Sequence, residues 1–496
     1  MILYVLLLIA FFIYFWCKVR YYTYWKNRHV PYEKPMFPFG SMLKVLTMQR
    51  NISEVCCDLY RKYNRYRYVG FFNMWSPAIL VCDPEIIKEV LIRQFRSFGV
   101  WIHVPHNVDR TLSLNPFVLD GEVWKDVRGK LTSQFTGAKM KNVIPNMVHV
   151  NGRMMDYIKG QLRESCDEIN VGDLSLKFTG ESVYHYAYGV DGGSFSDKCP
   201  HPLEVAEQIC TRNQLGKVKQ MIAMMFPSLG NLIKCTFIGG PITSSFKEMI
   251  LSVVKYRKDN GVTSKNYLDH LSELKSMGVP HFTSEDQLVS HAFTFFLDGT
   301  ETTAITFSCT LLELAKNPAV QEQVKREMER SLKRHSNEIT YDALQELDYT
   351  ESVIYETLRL YTVIRLMGRV CLEDVTLPSP FFGKDGEHVR ISKGTQIFMP
   401  MEEMHRDATH YPNPTEFNPD RFQDNTQRSI FMGFGDGPKL CLGKPFAMAA
   451  IKMGLIAILS DFTVELSEKM DRPVKSGNCN IFYSPEPDIW LKFVKV

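Results

Sequence analysis

The run Phe434-Gly435-Asp436-Gly437-Pro438-Lys439-Leu440-Cys441-Leu442-Gly443 constrains this chain more than any other feature, because it presents one cysteine on a glycine-rich loop directly ahead of a helical stretch. Gly435, Gly437 and Gly443 permit backbone conformations that other residues avoid, so amide N–H groups can turn toward the Cys441 sulfur and stabilise its thiolate. Pro445 suits the first turn of the helix that Phe446 to Lys452 continues, and a helix N-terminus favours an anionic sulfur. Phe434 is placed to cover one side of that sulfur. No cysteine or histidine stands near Cys441 at zinc-ligand spacing. Taken alone, the loop leaves two readings open: a thiolate metal ligand or an inert buried cysteine.

Other segments narrow the choice. Glu356-Thr357-Leu358-Arg359 lies in a stretch predicted to be helical from Ala343 to Tyr361, where i,i+3 spacing puts carboxylate and guanidinium on one face. Downstream, His405-Arg406-Asp407 leads through Tyr411-Pro412-Asn413-Pro414 to Phe417-Asn418-Pro419-Asp420-Arg421-Phe422. An apolar helical run from about Leu288 to Leu314, with a predicted capping box of Thr283 and Asp286 at its start, contains Asp298-Gly299-Thr300-Glu301-Thr302-Thr303. Its Glu301 and Thr302 read either as a functional acid–alcohol pair or as an ordinary exposed helix face. Trp124 and Arg128, at i,i+4, either aim an indole N–H and a guanidinium at one point or mark an amphipathic surface helix.

In this order, the segments resemble the cytochrome P-450 family over nearly the whole chain. The Cys441 loop is similar to its pattern Phe-Gly-x-Gly-x-Arg-x-Cys-x-Gly, the stretch ending at Phe422 to its Pro-Glu-Arg-Phe, and Asp298 to Thr302 to its Ala/Gly-Gly-x-Asp/Glu-Thr. The resemblance implies a mainly α fold with small β-sheets (α+β) and haem b ligated by the Cys441 thiolate. It implies a monooxygenase in which Thr302 and Glu301 organise water for proton delivery. It also places Trp124, Arg128, Arg369 and Lys439 at the haem propionates, lets Phe434, Gly435 and Gly443 shape the cofactor loop, and joins Glu356, Arg359 and Arg421 in a buried structural triad. Within haem chemistry, an isomerase or dehydratase acting on a peroxide is the competing activity, and retention of Glu301 and Thr302 argues against it. A membrane-bound haem-binding protein without turnover is the competing class.

The chain departs from the family at several positions. Lys439 stands where the family has arginine, which keeps the charge but loses the bidentate fork. Thr362-Val363-Ile364-Arg365 lacks the prolines usual there. Asp298 stands where a small residue is usual, at i,i+4 from Thr302 on the face expected to look into the pocket. It reads either as an anchor for a polar or cationic substrate group or as a structural partner of a base such as Arg365. The cost of an orphan buried carboxylate favours the pairing. The pocket itself is expected near Val100 to Asn115, Phe293 to Asp298 and Thr362 to Met367, which are largely apolar.

No Ser/Gly-rich or charge-rich linker divides the 496 residues after position 40, so residues 41–496 read as one large catalytic domain. Strand-like runs occur at Tyr68 to Phe72, Ala78 to Val81 and Thr395 to Met399, and Pro318 to Arg334 reads as a charged helix. A net charge of +3 with scattered basic residues gives no reason to expect nucleic acid as a partner. Twelve cysteines without a CxxC pair read as reduced thiols in a cytosolic setting.

Met1 to Cys17 is almost wholly apolar and is followed by Lys18 and Arg20, so residues 1–20 are expected to anchor the chain in a membrane with its body on the cytoplasmic side. Tyr21, Tyr22, Tyr24 and Trp25 are expected at the interface, and residues 21–40, with Pro31, Pro35 and Pro38, form a stiff leader like that of microsomal family members. Met224-Met225-Phe226-Pro227 reads as buried core or as a second patch dipping into the bilayer. The resemblance is greatest to the insect microsomal branch. It implies the endoplasmic reticulum membrane and a lipophilic xenobiotic, insecticide or hormone-like substrate. No flavin or nucleotide motif is present, so an NADPH-dependent reductase is implied as partner, with a small electron-transfer haem protein as an optional second donor.

Overall fold

In the computed structural model the described residues are 4, 11–15, 23–99, 112, 114–164, 167–196, 240–384, 386–423, 425–477 and 482–496. The β-branched and aromatic runs form one four-stranded sheet. Strand β1 (Tyr68–Asn73) pairs antiparallel with β2 (Ser76–Val81), and a smaller edge strand, β3 (Glu168–Asn170), belongs to a separate sheet. β2 runs parallel to β5 (Gln396–Met399) with Ile79 opposite Ile397, and β4 (Met367–Val370) closes that sheet antiparallel to β5, placing Arg369 opposite Ile397. β3 joins β6 (Phe462–Leu466) and β7 (Trp490–Lys495) in the order β3-β7-β6. Ile79, Leu80 and Ile397 are buried, and each such side chain contributes about 2 kcal/mol from removal of apolar area from water.

Helices make up the rest: α1 (Ile52–Tyr63), α2 (Gly121–Thr132), α3 (Gly137–Glu164), α4 (Val171–Val183), α5 (Gly240–Asn260), α6 (Tyr267–Ser276), α7 (Glu285–Lys316), α8 (Pro318–Arg334), α9 (Asp348–Leu360) and α10 (Lys444–Asp461). The mainly helical class with small sheets is as expected. α7 is apolar on most of its circumference, so it runs through the core rather than over it. Phe307 packs on Phe178 of α4 at 5.3 Å between ring centroids, and the Thr179 hydroxyl donates to the Thr300 carbonyl at 2.9 Å.

The structure corrects the expected start of α7. Ser284, not Thr283, is the N-cap, and its box partner is Gln287. The longer Gln287 side chain reaches back to accept from the Thr283 and Ser284 amides, whereas Asp286 is spent on Lys247 of α5 at 2.6 Å. The helix expected from Ala343 to Tyr361 is two helices, Tyr341–Gln345 and α9, because Glu327 of α8 accepts from the Tyr349 and Thr350 amides and caps a fresh start.

Most of the expected 1–20 anchor, and Tyr21 and Tyr22, lie outside the described residues. Among the described residues no helix is long and apolar enough to cross a membrane. Trp25, expected at an interface, is instead fully buried and its indole N–H donates to the Phe71 carbonyl at 3.0 Å. The leader therefore docks on the body: Tyr32 bridges Gly70, and Gly40 bridges Asn73. Met224 to Pro227 and residues 100–111 of the expected pocket wall also lie outside the described residues.

Candidate active site

The cysteine loop is set by its backbone. Gly435 and Gly437 hold φ of +76° and +66°, in the left-handed region, and a Cβ on Gly437 would stand 2.2 Å from the Leu91 carbonyl oxygen. Gly443 differs from the expectation, since its φ of −80° needs no glycine; it serves instead as N-cap of α10, with Pro445 in the first turn. The Cys441 amide donates to the Phe434 carbonyl at 2.9 Å, and the Gly435 amide to the Met432 carbonyl at 2.9 Å. The Gly443 and Lys444 amides point at the Cys441 sulfur. Burial raises the Cys441 thiol above its ordinary pKa, and these two amides, with Arg128, pull it back down. Phe434 lies between Lys444, 5.6 Å over its ring, and Tyr355, 6.4 Å away.

Cys441 retains accessible surface although protein surrounds it, so that surface opens on an enclosed cleft rather than on the outer face. Asp298 of α7 has the same character, and its carboxylate acts on the Cys441 thiol. One turn on, the Thr302 hydroxyl donates to the Asp298 backbone carbonyl at 2.6 Å, while Glu301 is buried. The structure thus brings Cys441, Asp298 and Thr302 to one cleft.

Three cations gather beside the loop. Arg369 on β4 is buried, donates to the Gly368 carbonyl at 2.7 Å, leaves its Nε without a partner, and is pushed down to about 10 by burial. Lys439 is pushed down to about 7, first by burial and then by Arg369, with Asp120 opposing. Its ammonium donates to the Leu119 carbonyl at 2.7 Å and stands 5.4 Å over the Trp124 ring. Arg128 departs from the expected convergence with Trp124: its guanidinium donates to the Leu440 carbonyl, next to the cysteine.

The expected triad is present. Glu356 holds Arg359 bidentately at 2.7 and 2.8 Å and lies 3.3 Å from Arg421. Arg359 spends all of its donors, the remainder going to the His405, Pro414 and Glu416 carbonyls. Two contributions escaped sequence reasoning, one from His405 and one from Asn115, whose place in the expected pocket wall did not reveal its partner. His405 is held neutral, pushed down to about 3 by burial and by Arg359 and Arg406. Thr362 gives its proton to the Arg359 carbonyl, so it accepts from His405 Nδ1 at 3.0 Å, and His405 Nε2 accepts from the Met432 amide at 3.1 Å. The chain triad–His405–Met432–Gly435 thereby braces the cysteine loop. No local periodicity marks a contact of that sequence separation. Asn115 is the second. Its amide donates to both Asp298 carboxylate oxygens at 3.2 Å, and the Asn115-Pro116 turn signature was the cue for it. Arg365, offered as a partner for Asp298, is instead bonded to Glu402 at 2.5 Å, because the residues after Thr362 turn toward that buried carboxylate.

Residues 30–493 match the family model described as Cytochrome P450. The chain belongs to the cytochrome P450 family. It is 30% identical to probable cytochrome P450 6a21 of Drosophila melanogaster, with 95% of each chain covered. It is 29% identical to cytochrome P450 6a9 of the same fly, covering 99% of this chain and 98% of that one. Cytochrome P450 6k1 of the cockroach Blattella germanica is also 29% identical, over 99% of this chain and 95% of its own. These relatives are insect proteins, as the sequence resemblance implies. The chain is therefore a cytochrome P450 monooxygenase, of a family that binds haem b through an axial cysteine thiolate.

Proposed function

We propose that Cys441 is the axial haem ligand of a monooxygenase acting on lipophilic small molecules, with electrons from NADPH through a separate reductase. The observation that carries this reading is the common cleft of Cys441, Asp298 and Thr302, with the loop amides turned on the sulfur. The residues also fit the cofactor at its edge. Arg369, with an unpartnered buried Nε, and Lys439, depressed by burial and then by its cationic neighbour, together call for an anion, and haem carries two propionates. Arg369 and Lys439 would hold them, with Trp124 stacked beneath Lys439. Arg128 acts differently, fixing the Leu440 carbonyl and offsetting the sulfur's charge.

Bound haem supplies activation of dioxygen, from which one oxygen atom enters the substrate and the other leaves as water. The chain's own residues orient and protonate. The Gly443 and Lys444 amides and the α10 N-terminus favour the thiolate. Thr302 Oγ1, oriented by its bond to the Asp298 carbonyl, and the neighbouring buried Glu301 organise the water that delivers protons into the cleft. The Glu356, Arg359 and Arg421 triad keeps the loop in place. Residues 1–20 anchor the chain in the endoplasmic reticulum membrane with the catalytic body toward the cytosol, and a small electron-transfer haem protein is an optional second donor.

Reconstitution with reductase tests the activity: a thiolate-type reduced carbon-monoxide spectrum and NADPH-dependent oxidation of compounds from a lipophilic panel are expected. A spectrum without any turnover supports a non-catalytic haem protein instead. Thr302→Ala should retain haem yet divert about ten-fold more NADPH-derived electrons to peroxide, given what a positioned proton donor contributes. Unaltered coupling of NADPH to product removes Thr302 from proton delivery.

Orientation is tested at the sequon Asn51-Ile52-Ser53. Asn51 is buried and caps α1, yet glycan transfer precedes folding, so the site reports topology. Protein expressed in eukaryotic cells should show no mobility change on glycosidase treatment. A shift places the body on the lumenal side.

A further inference from the structure

We propose that Asp298 is the specificity-determining anchor of this site, binding the cationic nitrogen of lipophilic amine substrates. The inference rests on the monooxygenase reading and narrows its substrate class.

The Asp298 carboxyl lies in the enclosed cleft that Cys441 and Thr302 share. Its one side-chain donor among the described residues is the Asn115 amide, split between both oxygens at 3.2 Å. That amide cannot turn away, because Asn115 Oδ1 accepts from the Phe117 amide at 2.7 Å and so fixes which end of the side chain faces Asp298. A carboxylate accepts at about four lone-pair positions, so the described residues leave most of this one's capacity for a ligand. Thr302 does not use it, since its hydroxyl goes to the Asp298 backbone carbonyl.

Among the described residues, each nearby base has another partner. Arg365 is bonded to Glu402, Arg128 to the Leu440 carbonyl, and Lys439 to the Leu119 carbonyl. Among the described residues, no lysine, arginine or histidine pairs with Asp298. Burial accordingly raises its carboxyl to about 7, with Asn115 pulling the other way, which leaves it substantially ionisable at neutral pH. A cation entering the cleft favours the ionised form and gains a charge–charge attraction in a poorly hydrated place, where such attraction is strongest.

A neutral ligand of the same shape gains nothing from Asp298 and must bury that carboxyl without compensation. The device therefore selects for charge, not merely for size. Its position one helical turn before Thr302 puts the cationic nitrogen, and the carbons bonded to it, beside the residue that handles protons.

The test uses purified holoenzyme and two probes of one shape: phenethyltrimethylammonium, and its neutral isostere with a quaternary carbon in place of nitrogen. The quaternary nitrogen carries no lone pair, so it cannot ligate iron and its charge does not change with pH. Affinities are read from the haem absorption difference spectrum and from the thermal shift each probe produces. Wild type should bind the cation at least about ten-fold tighter than the isostere. Asp298→Asn and Asp298→Ala should bring that ratio to about one while keeping the thiolate-type carbon-monoxide spectrum and the unliganded melting temperature.

Equal affinities in wild type, failure of the cation to bind, or a ratio that survives both substitutions overturns the anchor. A lowered melting temperature in both variants, with the ratio unchanged, shows Asp298 to be structural. Absence of the thiolate-type spectrum from wild type instead sinks the monooxygenase reading itself, so the two failures are told apart by one spectrum.

Discussion

Cys441→Ser is expected to abolish the thiolate-type carbon-monoxide spectrum completely and to reduce turnover to background. The exchange is nearly isosteric, and the Cys441 amide keeps its bond to the Phe434 carbonyl, so the loop should persist. What changes is the donor atom. Burial already raises the Cys441 thiol, and the Gly443 and Lys444 amides and Arg128 offset only part of that cost. They suffice for a thiolate that a metal also stabilises; for a serine alkoxide, whose ordinary pKa lies far higher, they do not. The measurement is the reduced carbon-monoxide spectrum of the soluble variant beside its melting curve. An unaltered spectrum in folded protein would show that another group ligates the iron.

The loop was legible in the sequence because its chemistry is local. Gly435, Gly437, Cys441 and Pro445 act within a dozen positions, and each has a conformational or electrostatic reason to stand where it does. The same holds for the pair Glu356 and Arg359, whose spacing on one helix fixes their contact. The strand runs were readable too, since short β-branched and aromatic runs mark buried strands, and β1 is buried along its whole length.

Legibility failed where two local solutions were equally good or where the partner is distant in sequence. Thr283 with Asp286 and Ser284 with Gln287 both satisfy a capping pattern, and only the reach of Gln287 and the competing ion pair of Asp286 with Lys247 decide between them. Trp25 follows an apolar segment and so reads as interfacial, but the nearby sheet offers it a carbonyl at Phe71 and a dry site. Arg365 stands close after Arg359 and reads as available to Asp298. Glu402 claims it through a turn that no pattern in the sequence announces. In each case the competing interaction lies on another element, and single-sequence periodicity carries no record of it.

Glu356→Ala should be the most destabilising single change in the body of the protein, costing about 3–5 kcal/mol, a large share of the stability of an ordinary domain. Removing this carboxylate strands the Nε and one Nη2 proton of fully buried Arg359, leaves the Asn418 amide unsatisfied, and frees Arg421. Arg421→Ala should cost less, about 1–3 kcal/mol. Glu356 then keeps Arg359 bidentately and keeps the Asn418 amide, and the lost contact is the 3.3 Å ion pair together with the bond from Arg421 to the Asn413 carbonyl. Urea denaturation and the haem content of the soluble fraction check the order. Wild-type haem content in Glu356→Ala, or a larger loss in Arg421→Ala, would remove the triad from its structural role. Haem should be lost before the fold is. Arg359 holds the His405 carbonyl, His405 holds the Met432 amide, and the Met432 carbonyl holds Gly435, so slack introduced at Glu356 is delivered to the Cys441 loop while α7 and its partners in the core remain packed.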